Sequence, residues 1–372
     1  MKILYITRKF LPSIGGMQTQ SYEFYNALKD KTEVHLVAWG RSQKFLPIFF
    51  IIAAMKGAYY AYKHKVDVIQ VGDMVLAPVG LFLKNIFKKK TLTMAHGKDV
   101  AFDNFIYRNI VIKAARKLDG IICVSGFLKK RLTARGMMPE KLFVNPNGID
   151  IDAYSDLSER DAARWRLETL YGIPLKGKKI LLAVSRMVKK KGIASFVRDI
   201  FPDIVKDHPE VFLFLAGEAS GREAAEEKKT VIRSIQENAL EKNVFFLGDI
   251  TDRKILLRQL YAAADVCIMP NRHMEKDFEG FGIVALEASV NALPVVAFDV
   301  DGIPDAVKDG QNGILIKADD NAGFADAVKR FLDDNDRRML FGRSAREFTK
   351  ENYNWDKITG RYLAIVKECA DL

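Results

Sequence analysis

Cysteine is scarce in this chain. Cys123, Cys267 and Cys369 are the only three in 372 residues, each isolated among apolar neighbours. Neither a disulfide framework nor a cysteine-built metal centre can be drawn from them, and a reducing cytoplasm is the expected setting. Long apolar runs are missing too. The strongest starts at Phe45 and is cut by Lys56, about half of the ~20 residues a membrane-spanning helix needs. The opening run Ile3-Leu4-Tyr5-Ile6 falls short of the roughly 7 to 15 apolar residues of a signal-peptide core and reads as a strand. The 11 prolines and 25 glycines are dispersed, without short-period repeats or low-complexity stretches, which excludes fibrous and disordered classes.

What remains is a globular composition, 49% hydrophobic and 28% charged, in a chain long enough for two domains at roughly 100 to 200 residues each. Acidic charge is the next deficit, and it is confined to one half. Residues 1–150 carry 24 Lys and Arg against 10 Asp and Glu, whereas the remainder carries 34 against 37. The first half thus holds +14 and the second −3 of the net +11. Such asymmetry points to an anionic surface or ligand facing one domain: nucleic acid, an acidic membrane or a phosphorylated substrate.

Short β-type runs alternate with helix-length segments through the first half: 3–7, 34–38, 66–71, 91–95, 120–124 and 142–145. The pattern restarts at 179–184, 211–216, 244–247, 266–269 and 294–298. This βα alternation predicts an α/β protein of two Rossmann-like, doubly wound domains with parallel sheets. The polar segment 147–179, with Gly172-Ile173-Pro174, reads as the linker, placing the boundary near residue 170.

In open α/β sheets ligands bind at the carboxyl ends of the strands, so the strand-to-helix loops are where chemistry is expected. After the first strand, Gly15-Gly16 precedes a helical stretch; paired glycines let backbone amides approach an anion, or simply make a tight turn. After the run ending at Val184 comes Ser185-Arg186-Met187-Val188-Lys189-Lys190-Lys191-Gly192. Arg186 and Lys191 suit a diphosphate, one through forked hydrogen bonds and the other as a compact charge, while Lys189 and Lys190 fit an exposed basic run better. The third loop reads Glu279-Gly280-Phe281-Gly282-Ile283-Val284-Ala285-Leu286-Glu287. Its glutamates, eight positions apart, are about 2.2 helical turns apart and able to face one cleft. The glycines between them expose amides to phosphate or sugar. A carboxylate inside so apolar a run is costly without a partner.

At this point the chain resembles a known family, the retaining, nucleotide-sugar-dependent glycosyltransferases of the family-4 type (group 1) with the two-Rossmann GT-B fold. The resemblance runs through Gly15-Gly16, His96-Gly97-Lys98-Asp99, Val124-Ser125, Asn145-Pro146-Asn147-Gly148-Ile149-Asp150, Arg186 with Lys191-Gly192, Gly217-Glu218, Glu279 with Glu287, and Gly302-Ile303-Pro304. It implies an N-terminal acceptor-binding domain, 1–169, joined by a C-terminal helix, 355–372, and a nucleotide-sugar domain, 170–354, around a cleft. By the same resemblance, Arg186 and Lys191 would hold the donor diphosphate, Glu279 the hydroxyls of the transferred sugar, and Glu287 the ribose. The amides of Gly280, Phe281, Gly282 and Ile283 would touch sugar and phosphate, with Gly15 and Gly16 also on the donor. His96 would orient the reacting hydroxyls, Asp99 and Ser125 would be secondary, and Asp150 would shape the hinge.

The family's Gly-Gly-x-Pro-Glu is replaced by Asp301-Gly302-Ile303-Pro304-Asp305. No Asp-x-Asp near a strand end looks like a metal–diphosphate site; Asp299-Val300-Asp301 has the spacing but sits in that same loop. No metal and no cofactor are therefore expected; cationic side chains would take the place of Mg²⁺, and domain closure would exclude water. The implied activity moves a hexose-type sugar from a UDP- or GDP-sugar to an acceptor hydroxyl of a lipid-linked or polysaccharide-precursor glycan.

The acceptor is expected on the basic first domain. Lys88-Lys89-Lys90, Arg116-Lys117 and Lys129-Lys130-Arg131 accompany the apolar segment 45–52, a combination that fits peripheral docking on an anionic bilayer, the inner face of the plasma membrane, or else an ordinary buried helix. A nucleic-acid partner is not expected: no stacking aromatics or binding module interleave with the basic residues, and the two glutamates would go unexplained. The nearer alternative is a nucleotide-sugar epimerase or a phosphorylase on the same fold.

Overall fold

The computed structural model describes residues 1–13, 15–41, 43–154, 160–217, 221–250 and 255–370. The chain divides into two units, Met1–Ile149 with Tyr353–Leu372, and Asp150–Asn352. In the first, β1 (Lys2–Thr7), β2 (Glu33–Ala38), β3 (Val68–Val71), β4 (Lys90–Ala95), β5 (Gly120–Cys123) and β6 (Leu142–Val144) form a sheet in the order β2-β1-β3-β4-β5-β6. Every pairing is parallel. Its central strands are covered on both faces, which is why they read as continuous apolar runs rather than alternating ones. The C-terminal helix Trp355–Ala370 belongs to this unit. Tyr362 packs edge-on against Phe24 at 4.9 Å and donates to the buried Gln70 Oε1 at 3.1 Å. Trp355 Nε1 donates to Glu23 at 2.8 Å.

The second unit contains β7 (Lys179–Val184), β8 (Val211–Ala216), β9 (Val244–Gly248), β10 (Val266–Met269), β11 (Val295–Asp299) and β12 (Ile314–Lys317). They are ordered β12-β11-β10-β7-β8-β9, again parallel throughout. Numbered within the unit this is the 3-2-1-4-5-6 Rossmann order, whose reversal lies between β7 and β10; in the first unit it lies between β1 and β3. β12 escaped the sequence reading because its residues are only half-buried and its apolar run is short.

The boundary falls at Ile149/Asp150, about twenty residues before the position near 170 that the linker reading placed. The helix Arg160–Tyr171 is not a linker but part of the second unit. Arg160 and Arg164 reach the buried Asp265 at 2.6 and 3.0 Å, and Arg338 reaches it at 2.9 Å. The apolar segment 45–52 opens the helix Leu46–His64. The helix buries Phe49, Ala53, Gly57 and Ala61 on the sheet side and leaves Ile48, Ile51, Met55, Tyr59 and Tyr62 exposed. Among the described residues no helix is long and apolar enough to cross a membrane.

Candidate active site

Both reversal points carry clustered polar side chains. In the second unit, β7 runs into the Ser185–Gly192 loop, and Gly192 turns at φ +68° where a Cβ would collide with the Pro270 carbonyl. The loop is thereby pressed against the end of β10. The Lys191 ammonium meets Glu279 Oε2 at 2.5 Å, and Asn271 Nδ2 donates to the same oxygen at 3.2 Å. Burial pushes the Glu279 carboxyl up, but Lys191, Lys190 and Arg186 outweigh it and hold it below its ordinary range. Arg186 itself is exposed beside this pair. A small crevice between the β7 and β10 ends is lined by Ser185, Lys191, Pro270, Asn271 and Val284.

Lys190 departs from its reading as a solvent-facing charge. It is buried, bonded to Asp277 at 2.8 Å and to the Phe278 carbonyl at 3.0 Å, because only a partnered ammonium tolerates that setting. It fastens the loop carrying Glu279 instead of facing water.

Gly280 and Phe281 lead to Gly282, at φ +93°, where the helix Ile283–Val290 begins. That helix has neither a side-chain cap nor an acid in its first turn. Glu287 lies inside it, nearly buried, and receives the Tyr261 hydroxyl at 2.8 Å. Tyr261 is thus a partner of the kind the apolar setting demanded. The two glutamates are engaged by different elements: Glu279 by the β7 and β10 loops, Glu287 by the helix Leu256–Ala263. Glu218 of the Gly217-Glu218 motif lies outside the described residues.

In the first unit Gly15, at φ +147°, starts the helix Gly16–Lys29, which also has no side-chain cap and no acid in its first turn. His96 follows β4. Its Nε2 donates to the Gly72 carbonyl at 2.9 Å; a carbonyl only accepts, so in the neutral ring Nδ1 is left as the acceptor. Asp99 gives its carboxylate to backbone amides, accepting from His96 and Gly97 at 2.9 and 2.8 Å. Ser125 caps the helix Gly126–Ala134 by accepting from Leu128 at 3.3 Å. Asp150 accepts from the amides of Asp152 and Ala153 at 3.1 and 3.2 Å. These three do structural work where they stand.

Sequence reasoning missed Arg8 and Asp73, which form an ion pair of 2.7 Å at the ends of β1 and β3. Burial raises the Asp73 carboxyl, and Arg8 opposes it. The neighbouring Lys9 ammonium is lowered by burial and by the Arg8 and Lys98 charges. The signal was available: charged residues stepping off the carboxyl ends of apolar strands at a point of reversed strand order. It also missed the pairing of His273 with Asp301, 2.6 Å apart. Among the described residues, Glu33, His35 and His64 put three potential metal-ligand atoms within 4.8 Å of one another. Glu33 is already paired with Lys2 and His35, and β2 is the sheet edge.

Residues 172–348 match the glycosyl transferases group 1 and residues 14–153 match glycosyltransferase family 4. A GDP-mannose-dependent alpha-(1-6)-phosphatidylinositol monomannoside mannosyltransferase of Mycolicibacterium smegmatis is 25% identical over 378 residues, 95% of either chain. A D-inositol 3-phosphate glycosyltransferase of Corynebacterium aurimucosum is 31% identical over 219 residues, 58% of this chain; the match spans about half, 49%, of that relative's length. Alr3699/HepE of Anabaena, solved with UDP and glucose, superposes with a TM-score of 0.76 at 19% identity, covering 99% of this chain and 100% of its own. At that identity the likeness is one of fold.

Proposed function

This chain belongs to the group 1, family 4 glycosyltransferases of GT-B fold, and from that premise we propose that it transfers a hexose-type sugar from a nucleoside-diphosphate sugar to a hydroxyl of a glycolipid acceptor, with retention and without a metal. The observation that carries the reading is the Lys191–Glu279–Asn271 cluster beside exposed Arg186, at the strand-order reversal where this architecture binds nucleotides. Lys191 and Asn271 both occupy Glu279 Oε2, leaving Oε1 for a sugar hydroxyl. Arg186 and Lys191 supply positive charge where the departing diphosphate gathers negative charge, which is the larger part of what such a reaction needs from its enzyme. Gly280 to Ile283 present amides at a helix start with no cap of its own, and Glu287 would take the ribose.

The donor base is proposed to be guanine, since the relative matched over almost its full length is GDP-mannose-dependent; the UDP of the structural neighbour makes uridine the competitor. The acceptor is assigned to the first unit, whose His96 would orient the reacting hydroxyls, while Gly15 and Gly16 would offer amides to the donor. Its exposed apolar helix and basic surplus would hold the enzyme on the cytoplasmic leaflet.

Hydrolysis and transfer assays with UDP-, GDP- and ADP-sugars, with and without EDTA, test this. Activity should survive EDTA, and Arg186→Ala or Lys191→Ala should each lower it by roughly 10²- to 10³-fold, as for loss of one charge-stabilising donor. Turnover of none of the sugars would refute the assignment. Abolition by EDTA with both Ala variants near wild type would refute the metal-free step.

A further inference from the structure

We propose that His273 acts through Asp301 as a positioning residue for Glu279, so that this chain holds its sugar-binding carboxylate with a histidine–aspartate pair. The inference rests on the assignment of Glu279 to the transferred sugar. It starts from the departure in the loop after β11, where Asp301 stands in place of the family's first glycine. Asp301 has φ +54°, a left-handed conformation that glycine takes freely and aspartate tolerates. A side chain kept at such a position has a use, and here each of its two oxygens has one.

The Asp301 side chain is 1% exposed. Its Oδ2 accepts from the Glu279 backbone amide at 2.9 Å, and Gly302 N donates back to the Glu279 carbonyl at 3.0 Å. The backbone of Glu279 is thus gripped from the β11 side while Lys191 and Asn271 grip its carboxylate from the β7 and β10 side. Asp301 Oδ1 receives His273 Nδ1 at 2.6 Å. A buried carboxylate with one amide donor is costly, and a charge-assisted bond from imidazolium offsets that cost.

The charged groups facing His273 are Asp301 and, from its own loop, Glu275 at 3.6 Å; Arg272, the adjacent cation, is turned to Asp319 at 2.9 Å. The Asp301 bond and charge raise the His273 imidazolium above its ordinary range despite some opposing burial. The sign follows: the pair contributes fully below the unfolded histidine value, about 6.5, and its charged form is lost as pH rises through the elevated folded value. Neutral His273 still offers an Nδ1–H, so the grip loosens with rising pH without disappearing.

Two measurements on the full-length protein test this. NMR titration of the His273 ring needs no substrate: the wild-type ring should titrate above the ordinary histidine range and fall back toward it in Asp301→Asn. An unshifted wild-type ring overturns the pairing. Calorimetry with GDP and GDP-mannose reads the consequence. His273→Ala and Asp301→Gly should weaken GDP-mannose roughly tenfold, the scale of one charge-assisted hydrogen bond, and leave GDP unchanged. His273→Asn, which keeps a donor near the Nδ1 position, should restore GDP-mannose binding and flatten its dependence on pH. Equal losses for both ligands, or none, overturn the positioning role. If the wild type binds neither GDP nor GDP-mannose, the donor assignment fails and the sugar half of this inference with it, while the titration still decides the pairing.

Discussion

A carboxylate near a cation answers to two opposing forces, desolvation and Coulombic attraction, and Glu279 shows how they balance. Around Glu279 the cations prevail, so the group stays ionised through neutral and mildly acid pH. Its pairing contributes above the unfolded carboxylate value, about 4.3, and fades only as pH falls through the lowered folded value. Donor binding should therefore show no acid limb from this group between pH 8 and 5. Glu287 receives the Tyr261 hydroxyl at 2.8 Å. The roles separate on substitution. Glu287→Ala should chiefly weaken binding of the free nucleoside diphosphate, whereas Glu279→Ala should spare it and slow sugar transfer. Calorimetry with GDP decides: equal affinity in wild type and Glu287→Ala would end the ribose assignment.

At the scale of elements, Asp265 ties the second unit together. It immediately precedes β10 and is 1% exposed; its amide donates to the Ile180 carbonyl at 2.8 Å, and its carboxylate accepts from Arg160, Arg164, Arg338 and the Ile180 amide. Two helices far apart in the chain, Arg160–Tyr171 and Asn335–Tyr353, are thereby fastened to one sheet end. Removing a buried charge while leaving its partners costs about 3 to 5 kcal/mol. Asp265→Asn should lower the urea midpoint of the second unit accordingly, and Arg338→Ala, the most buried of the three cations, more than Arg160→Ala. A midpoint unmoved by Asp265→Asn would show the cluster to be ornamental. The same cluster marks where the sequence was legible and where it was not. Eleven parallel strands could be read because doubly covered strands write themselves as apolar runs. The helix at Arg160 could not, because its anchors are charges whose partner lies a hundred residues away. Arg186, Lys191, Glu279 and Glu287 stood out as candidates from their strand-end loops; the contacts of Lys190, Asn271, His273 and Asp301 could not be read, since only the folded loops bring Asn271 and Asp301 to Glu279, His273 to Asp301 and Lys190 to Asp277.

Over the whole molecule the charge is divided between +14 and −3, and solubility alone gives no reason for the division. The basic half also carries the helix Leu46–His64, with Met55 and Tyr62 exposed by 69% and 79%, followed by the helix Ala77–Phe87 with Phe82 and Ile86 exposed. Lys88 and Lys89 come directly after it. Apolar side chains spaced along one helix face beside cations fit the interface of an anionic bilayer, where the former enter the acyl boundary and the latter meet the headgroups. Each such lysine contributes about 1 kcal/mol, screened over about 8 Å at physiological ionic strength. Sedimentation with phosphatidylglycerol and phosphatidylcholine vesicles separates the two contributions. Wild type should prefer the acidic vesicles, and the preference should fall steeply with salt. Lys88→Ser with Lys89→Ser should lower the low-salt affinity for acidic vesicles about tenfold or more, leaving binding to neutral ones as it was. Lys90 is no part of this test, because it begins β4 and is half-buried. Ile51→Ser with Met55→Ser should instead remove the binding that persists at high salt. If wild type ignores lipid charge at low salt, the basic half serves a dissolved anionic acceptor, and the apolar helix face has to be explained without a membrane.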